Sequence, residues 1–369
     1  MTATAPVLPR WFTDVLESPG VRWNARERHP GMLNLKSCEL QHPVSDRLVR
    51  EAAAALDTPD LRSYPYQDVI LDVLSAHHRV SRDRLLLTAG SDGAIGLLVD
   101  ALARAAGRLL LGEPVFEGWP YYAALRGVPT TRVTTLAGSP PRYDLAPLAE
   151  AMAAATGPSV VALSNPGSPS GIVASPHAVE ELAELAERYG HILVVDECFG
   201  DFVGVSHTGL LDRYAQLVVV HSYSKSFALA GLRIASVLAA PEVVEYLSRF
   251  RPDSAVSAAA VSMLGRVVGQ TGQFRAVWRD VAAIRSRFAA AVRTAHPDWQ
   301  ALAPGANFVT FVTGHLDVPH ALATHLAGRG VRIRPLTGLP GLDGCVRFSL
   351  ASDAEMRHVA SLVAEFRPP

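Results

Sequence analysis

Two regimes of apolar patterning divide this chain. From about residue 84 to residue 240, short unbroken apolar runs recur at 84–89, 108–114, 159–166, 191–197, 215–222 and 232–240. Runs of this length, closed by Gly, Pro, Asn or Asp, read as strands buried on both faces. The stretch TTRVTTL (130–136) alternates like a half-exposed strand. Helix-period segments lie between the runs at 94–105, from Phe116 to Leu125, and at 177–190, where HAVEELAELAERYG closes on Gly190. Strand and helix in alternation predict an α/β fold with a mostly parallel, doubly wound sheet. After Pro241 the pattern changes. Helices are expected at 242–251, 255–269 and 273–295, then NFVTFVT, VRIRP and CVRFSLA as short strands between helices near 319–328 and 353–366. This predicts a large domain over 46–252 and a smaller α+β domain built from 253–369, to which residues 1–45 return as an N-terminal arm. In that arm Pro9 to Glu17 reads as a short amphipathic helix and residues 33–35 as a strand. A helix over 45–56, capped by Ser45 or Asp46, and another after Tyr64-Pro65 ending near His78 complete the pattern.

Composition narrows the function classes. With 369 residues and 49% hydrophobic content, the chain can bury a sizeable core, and a net charge of −1 points away from a polyanionic partner. No basic run interleaves with aromatics, so nucleic-acid binding is not expected. Cys38, Cys198 and Cys345 are too far apart for a CxxC pair and form no disulfide framework. His77 and His78 have no acidic or thiol partner at ligand spacing, so they read as a solvated helix end and no metal site is expected. The start, MTATAPVLPRWF, lacks a charged segment followed by an apolar one, and no stretch is apolar enough to cross a bilayer. A reducing, cytoplasmic compartment is the expectation.

Charge usage then singles out one residue. Of 34 Lys and Arg, only Lys36 and Lys225 are lysines. Arginine serves solubility and salt bridges equally well, but its guanidinium stays protonated and cannot condense with an aldehyde. Lys225 sits just past the run AQLVVVHS, at a strand end, where open parallel sheets present their ligands. Three other features fall at strand ends of the same sheet. Gly90-Ser91-Asp92 lies between a strand and a helix, where free backbone N–H groups and the helix dipole favour an anion. Asn165 and Asp196 each follow a buried run. Taken singly, each could be an ordinary cap or Asx turn. Together, an amine, an anion cradle, an amide and a carboxylate suit pyridoxal 5′-phosphate. Lys225 would form the imine. Ser222, Ser224 and Arg233 would join the phosphate cradle, and a carboxylate would keep the ring nitrogen protonated.

The motifs carry a family resemblance. SKSFALAGLR, NPGSPSG, VVDECF, TAGSDGAI and EPVFEGW resemble the lysine signature, the NPNNPTG loop, VVDEAY, the GSDEAI phosphate turn and the PTYSMY stretch of the fold-type-I pyridoxal-phosphate enzymes of class I/II. The likeness is to the branch of histidinol-phosphate aminotransferase and threonine-phosphate decarboxylase, and it runs from about Leu33 to the C-terminus. It implies a Schiff base at Lys225, Asp196 on the ring nitrogen, Asn165 on the phenolic oxygen, and Phe116 on the ring face. Ser91, Asp92, Ser222, Ser224 and Arg233 would surround the phosphate. Tyr64 in SYP matches a tyrosine that reaches the neighbouring subunit's cofactor, which implies a homodimer with shared active sites. Arg334 and Arg347 match two arginines that hold the substrate's carboxylate or phosphate.

Departures from the pattern leave the reaction open. Phe199 stands where the aminotransferases have tyrosine, Cys198 where they have alanine, and SCEL (37–40) where they have an NENP-like segment. Transamination of an amino acid or phosphorylated amine is the first expectation. A decarboxylase or other lyase is the alternative. A cofactor-binding regulator is disfavoured by the intact Lys225, Asp196 and Arg233.

Overall fold

In the computed structural model, residues 29–302 and 305–369 are described; the helix expected at 9–17 lies outside them. The main sheet has seven strands: β1 (Leu85–Thr88), β2 (Leu109–Glu113), β3 (Thr130–Thr134), β4 (Val160–Ser164), β5 (Ile192–Asp196), β6 (Leu217–Ser222) and β7 (Ala235–Leu238). Their order across the sheet is β1-β7-β6-β5-β4-β2-β3. All pairings are parallel except those of β7, which runs antiparallel to both β1 and β6.

Alternation along each strand covers both faces. Val160, Ala162, Val218 and Val220 pack into one buried cluster with Ile95, Leu98, Trp119 and Ala123 from the helices Gly90–Leu98 and Gly118–Leu125. Val161, Leu163, Leu217 and Val219 point into a second cluster with Met152, Val179 and Leu182. Each such fully buried aliphatic side chain contributes about 1.5–3 kcal/mol relative to exposure, so the sheet's interior position is set by hydrophobic burial on both sides.

The register places four chain ends side by side. Ser164 is level with Asp196, and Asp196 with Val220, so β4, β5 and β6 finish at one edge. Ala235, the first residue of β7, is level with both Ser222 and Thr88. The loop before β7 therefore reaches the same edge as the loops after the other strands.

A second, four-stranded antiparallel sheet holds Phe308–Val312 between Gln300–Ala301 and Cys345–Ser349, with Arg334–Pro335 outside the last. The 25-residue helix Thr271–Ala295 packs on the strand Phe308–Val312 and the helix Asp353–Glu365. Its buried residues Phe274, Val277, Trp278, Val281, Ile284 and Phe288 recur at three- and four-residue spacing. Trp278 donates its indole N–H to the Ser226 carbonyl at 2.8 Å, fastening this helix to the turn that carries Lys225. Leu33–Asn34 pairs in parallel with Val331–Arg332.

Several local expectations are corrected. The helix expected at 45–56 is Pro43–Ala54, and its cap is His42, whose Nδ1 accepts the Val44 N–H at 3.2 Å. The helix expected from residue 94 begins at Gly90, where φ is +74°, and passes through a π-helical segment at Val99–Ala103. Glycine adopts that left-handed conformation without steric cost, which lets the chain turn directly from strand into helix. His77 and His78 are not a solvated helix end. Both are partly buried, with ring centroids 6.2 and 4.7 Å from that of His221.

Candidate active site

One cleft opens between the common strand edge, the arm and the second sheet. Lys225, Asp196, Phe116, Arg233, Arg334 and Arg347 all line it, as do Ser91, Asp92, Ser222 and Ser224. Lys225 stands on the short helical turn Tyr223–Ser226, capped by Ser222, whose hydroxyl accepts the Ser224 N–H at 3.3 Å. Its Nζ donates to the Ser37 carbonyl of the arm at 2.9 Å.

Asp196 ends β5 and is 5% exposed. Its Oδ1 accepts the Cys198 N–H at 3.0 Å. Burial pushes its carboxyl above the usual range, against the opposing pull of hydrogen bonds from Cys198. A buried carboxylate in this state is stabilised by a cation brought against it. Next to it, fully buried Asn165 accepts the Ala174 N–H on Oδ1 at 3.0 Å, while its Nδ2 has no partner. Leaving a buried donor unpaired costs about 1–3 kcal/mol.

At the anion end, Arg233 takes a left-handed φ of +52° and its Nη2 lies 2.9 Å from Asp92 Oδ2. A Cβ on Gly90 would stand 2.6 Å from that same Nη2, so glycine is what admits the guanidinium. The Asp92 carboxylate thus faces Arg233. A phosphate here would meet the backbone N–H groups of the first helical turn and the rest of the guanidinium. Ser91 sits in that turn, and Phe116 is half-buried at the cleft wall.

The far wall is cationic. Arg334 and Arg347 are direct partners on adjacent antiparallel strands, so they share a face. Arg347 is 3% exposed; its Nη2 donates to the Lys36 carbonyl at 2.6 Å and its Nε has no partner. Burial, with Arg334 nearby, depresses its pKa, and a bidentate anion would relieve both costs. Its guanidinium carbon stands 5.0 Å from the Phe308 ring centroid, and Phe308 in turn meets Phe199 edge-on at 5.2 Å. Arg334 is 3.7 Å from Glu117.

Tyr64 does not join this cleft. It is 82% exposed, in a segment where Leu61, Tyr66 and Val69 are also exposed. Conversely, Arg132, His320 and Arg332 line the cleft, and none was among the residues that the sequence singled out. Arg332 arrives because Val331–Arg332 pairs with the arm, a long-range contact that leaves no local signal.

The groups present fit pyridoxal 5′-phosphate. The unpaired Asn165 Nδ2 offers a donor for the phenolic oxygen, the Asp196 carboxylate wants a ring cation, and the Gly90 cradle offers an anion site beside Arg233. Comparisons with known proteins point the same way. The family model described as aminotransferase class I and II matches residues 30–363. A histidinol-phosphate aminotransferase 2 of Burkholderia lata is 28% identical over 346 residues, which cover 91% of this chain and 92% of that one. Among solved structures, the histidinol-phosphate aminotransferase of Sinorhizobium meliloti in complex with pyridoxal-5′-phosphate superposes with a TM-score of 0.77 at 22% identity, covering 90% of each chain. The L-threonine-O-3-phosphate decarboxylase of Porphyromonas gingivalis gives 0.74 at 18%, covering 90% of this chain and 98% of that one. At such identities these two structures speak for the fold alone. With its family model spanning most of the sequence, the chain belongs to the class I and II aminotransferase family.

Proposed function

We propose that the protein is a pyridoxal-phosphate-dependent aminotransferase, similar to histidinol-phosphate aminotransferase, acting on an amino acid or a phosphorylated amine. The observation that carries this reading is that Lys225 and the buried Asp196 carboxylate line one cleft, with the unpaired Asn165 amide buried just past the same strand edge, behind the lining. When bound, the cofactor supplies an electron sink and carries the amino group between substrates. The chain's own residues do the rest. Lys225 would hold the cofactor through its aldehyde and, once freed, would move the α-proton of the substrate. Asp196 would keep the ring nitrogen protonated, Asn165 would donate to the phenolic oxygen, and Phe116 would cover a ring face. Ser91, Ser222, Ser224 and Arg233 hold the phosphate, with Asp92 orienting Arg233 through their 2.9 Å contact. Arg347 and Arg334 fix the substrate's anionic end, and so set which bond at the α-carbon stands across the ring.

The working unit is a homodimer in which Tyr64 of each subunit reaches the other's phosphate. The exposure of Leu61, Tyr64, Tyr66 and Val69 in one segment supports that reading. Residues 46–252 form the cofactor domain, and 1–45 with 253–369 form the smaller one. No described helix is long and apolar enough to cross a membrane, and a cytoplasmic location suits the chemistry.

One observation favours a second reading. Phe199 brings no phenol toward the ring oxygen and instead packs on Phe308, beneath Arg347. A decarboxylase or other lyase would follow if the arginines set the carboxylate, rather than the α-hydrogen, across the ring. The deciding experiment adds amino acids and phosphorylated amines, one at a time, to the holoenzyme without a keto acceptor. Conversion of the cofactor to its aminated form with one equivalent of carbonyl product supports transamination. Release of CO₂ with the cofactor unchanged replaces it with the lyase reading.

A further inference from the structure

Behind the strand that leads to Lys225 lies a cluster that the cofactor chemistry does not use. His221 is on β6 next to Ser222, and neighbours on a strand point to opposite faces; Ser222 lines the cleft, whereas His221 meets His77 and His78 at the end of the helix Asp68–His78. Each of the three histidines offers a ring nitrogen, and these nitrogens lie within 4.8 Å of one another. We propose that His77, His78 and His221 bind a divalent transition-metal ion of the zinc type.

The surroundings suit such an ion. Imidazole nitrogens favour zinc, nickel and copper over calcium or magnesium. Zinc at its usual bond length and tetrahedral angles holds its nitrogens roughly 3.4 Å apart, a closure within reach of modest ring rotations. Metal-bound histidines characteristically tie their second nitrogen to an acceptor, which fixes the tautomer. One such partner is in place here. His78 Nε2 is 2.8 Å from the Tyr223 hydroxyl, which is itself 2.8 Å from Ser236 Oγ. The Asp201 carboxylate stands beside the second ring, its Oδ2 3.2 Å from His221 Nε2 at ion-pair distance but without hydrogen-bond geometry. His77 remains partly exposed and gives the ion a way in.

One charge of each sign flanks the cluster, the Arg275 guanidinium and the Asp201 carboxylate. The ion would clamp the helix Asp68–His78 to the strand carrying the Lys225 turn.

Equilibrium dialysis of the holoenzyme against zinc chloride, with bound metal counted by atomic spectroscopy, tests this. The expected result is one zinc per chain, lost in His77→Gln and in His221→Asn but kept in His177→Gln, which removes an exposed histidine paired with Glu181 elsewhere. Asp201→Asn should weaken the site roughly 10–100-fold. His77 is at the margin of the cluster, so circular dichroism of His77→Gln should match the parent. No saturable zinc in the parent, or full retention in a folded His77→Gln, overturns the assignment.

Discussion

The two walls of the cleft are built on different principles. The cofactor wall is made by sheet register: residues that end β4, β5 and β6, or precede β7, have no choice but to meet at one edge. The substrate wall is made by long-range stitching. Arg334 and Arg347 come from the second sheet, and the arm that touches Arg347 and Lys225 comes from residues 36 and 37. The first wall is generic to its chemistry, since strand ends can vary little without losing the sheet. The second is where one enzyme of this kind can differ from another, because its parts are held by a few hydrogen bonds and ring contacts.

That contrast can be broken deliberately. The largest effect belongs to Lys225→Arg, which removes the amine at the strand edge. Turnover should fall by at least about 10²–10⁴-fold, and borohydride reduction followed by mass spectrometry should find cofactor bound but not covalently attached. A normal covalent adduct in this variant would remove Lys225 from its role. On the other wall, Arg347→Met should lower kcat/KM by roughly 10²-fold, mainly through KM for anionic donors, while cofactor absorbance stays unchanged. Equal losses for a donor lacking the second anion would show that the two walls are not separable.

A pH experiment sharpens the comparison further. The raised Asp196 carboxyl means that the cofactor-free native state binds a proton more tightly than the unfolded chain does. Stability of that state should therefore fall as pH rises from the ordinary carboxylate range through the raised value. A ring cation against Asp196 abolishes the penalty, so the Tm gap between cofactor-loaded and cofactor-free protein should widen over that rise. An Asp196→Asn protein should show no such widening.

Smaller changes are expected at the margins. Tyr64→Phe should weaken cofactor retention roughly 2–10-fold, the scale of one hydrogen bond, and a monomer with full cofactor occupancy would exclude a cross-subunit role. Phe199→Tyr should shift the cofactor's absorbance and its pH dependence while changing turnover by less than about tenfold, since it adds a phenol next to a fold already complete.

Sequence reading reached the first wall far better than the second. Buried apolar runs betray strands, and residues just beyond them fall at the edge by construction, so Asn165, Asp196 and Lys225 were legible. Arg233 came from its motif; its geometric reason, an antiparallel β7 whose start lies beside the ends of β1 and β6, depends on pairing partners far away in sequence. The arm likewise came from its motif, SCEL (37–40); the geometric reason that Lys36 and Ser37 reach the cleft, the pairing of Leu33–Asn34 with Val331–Arg332, again depends on partners far away in sequence. His77 and His78 were misread because their partner, His221, lies well over a hundred residues away on another element. The cap at His42 was missed because an imidazole can do what serine does when its Nδ1 faces the helix.

The two carbonyls at Lys36 and Ser37 merit a last consequence. One holds the guanidinium of Arg347, the other the amine of Lys225. An occupant that draws either group toward itself takes a hydrogen bond from adjacent peptides of one short stretch. The stretch is pinned just beyond, where the Cys38 N–H donates to Ser349 Oγ at 2.9 Å and the Asn307 amide donates to the Cys38 carbonyl at 2.9 Å. Loading the cleft therefore loosens residues 36 and 37 without releasing residue 38, and the arm acts as a gauge: its amide exchange and its susceptibility to proteases read how far the two walls have been drawn together by what lies between them.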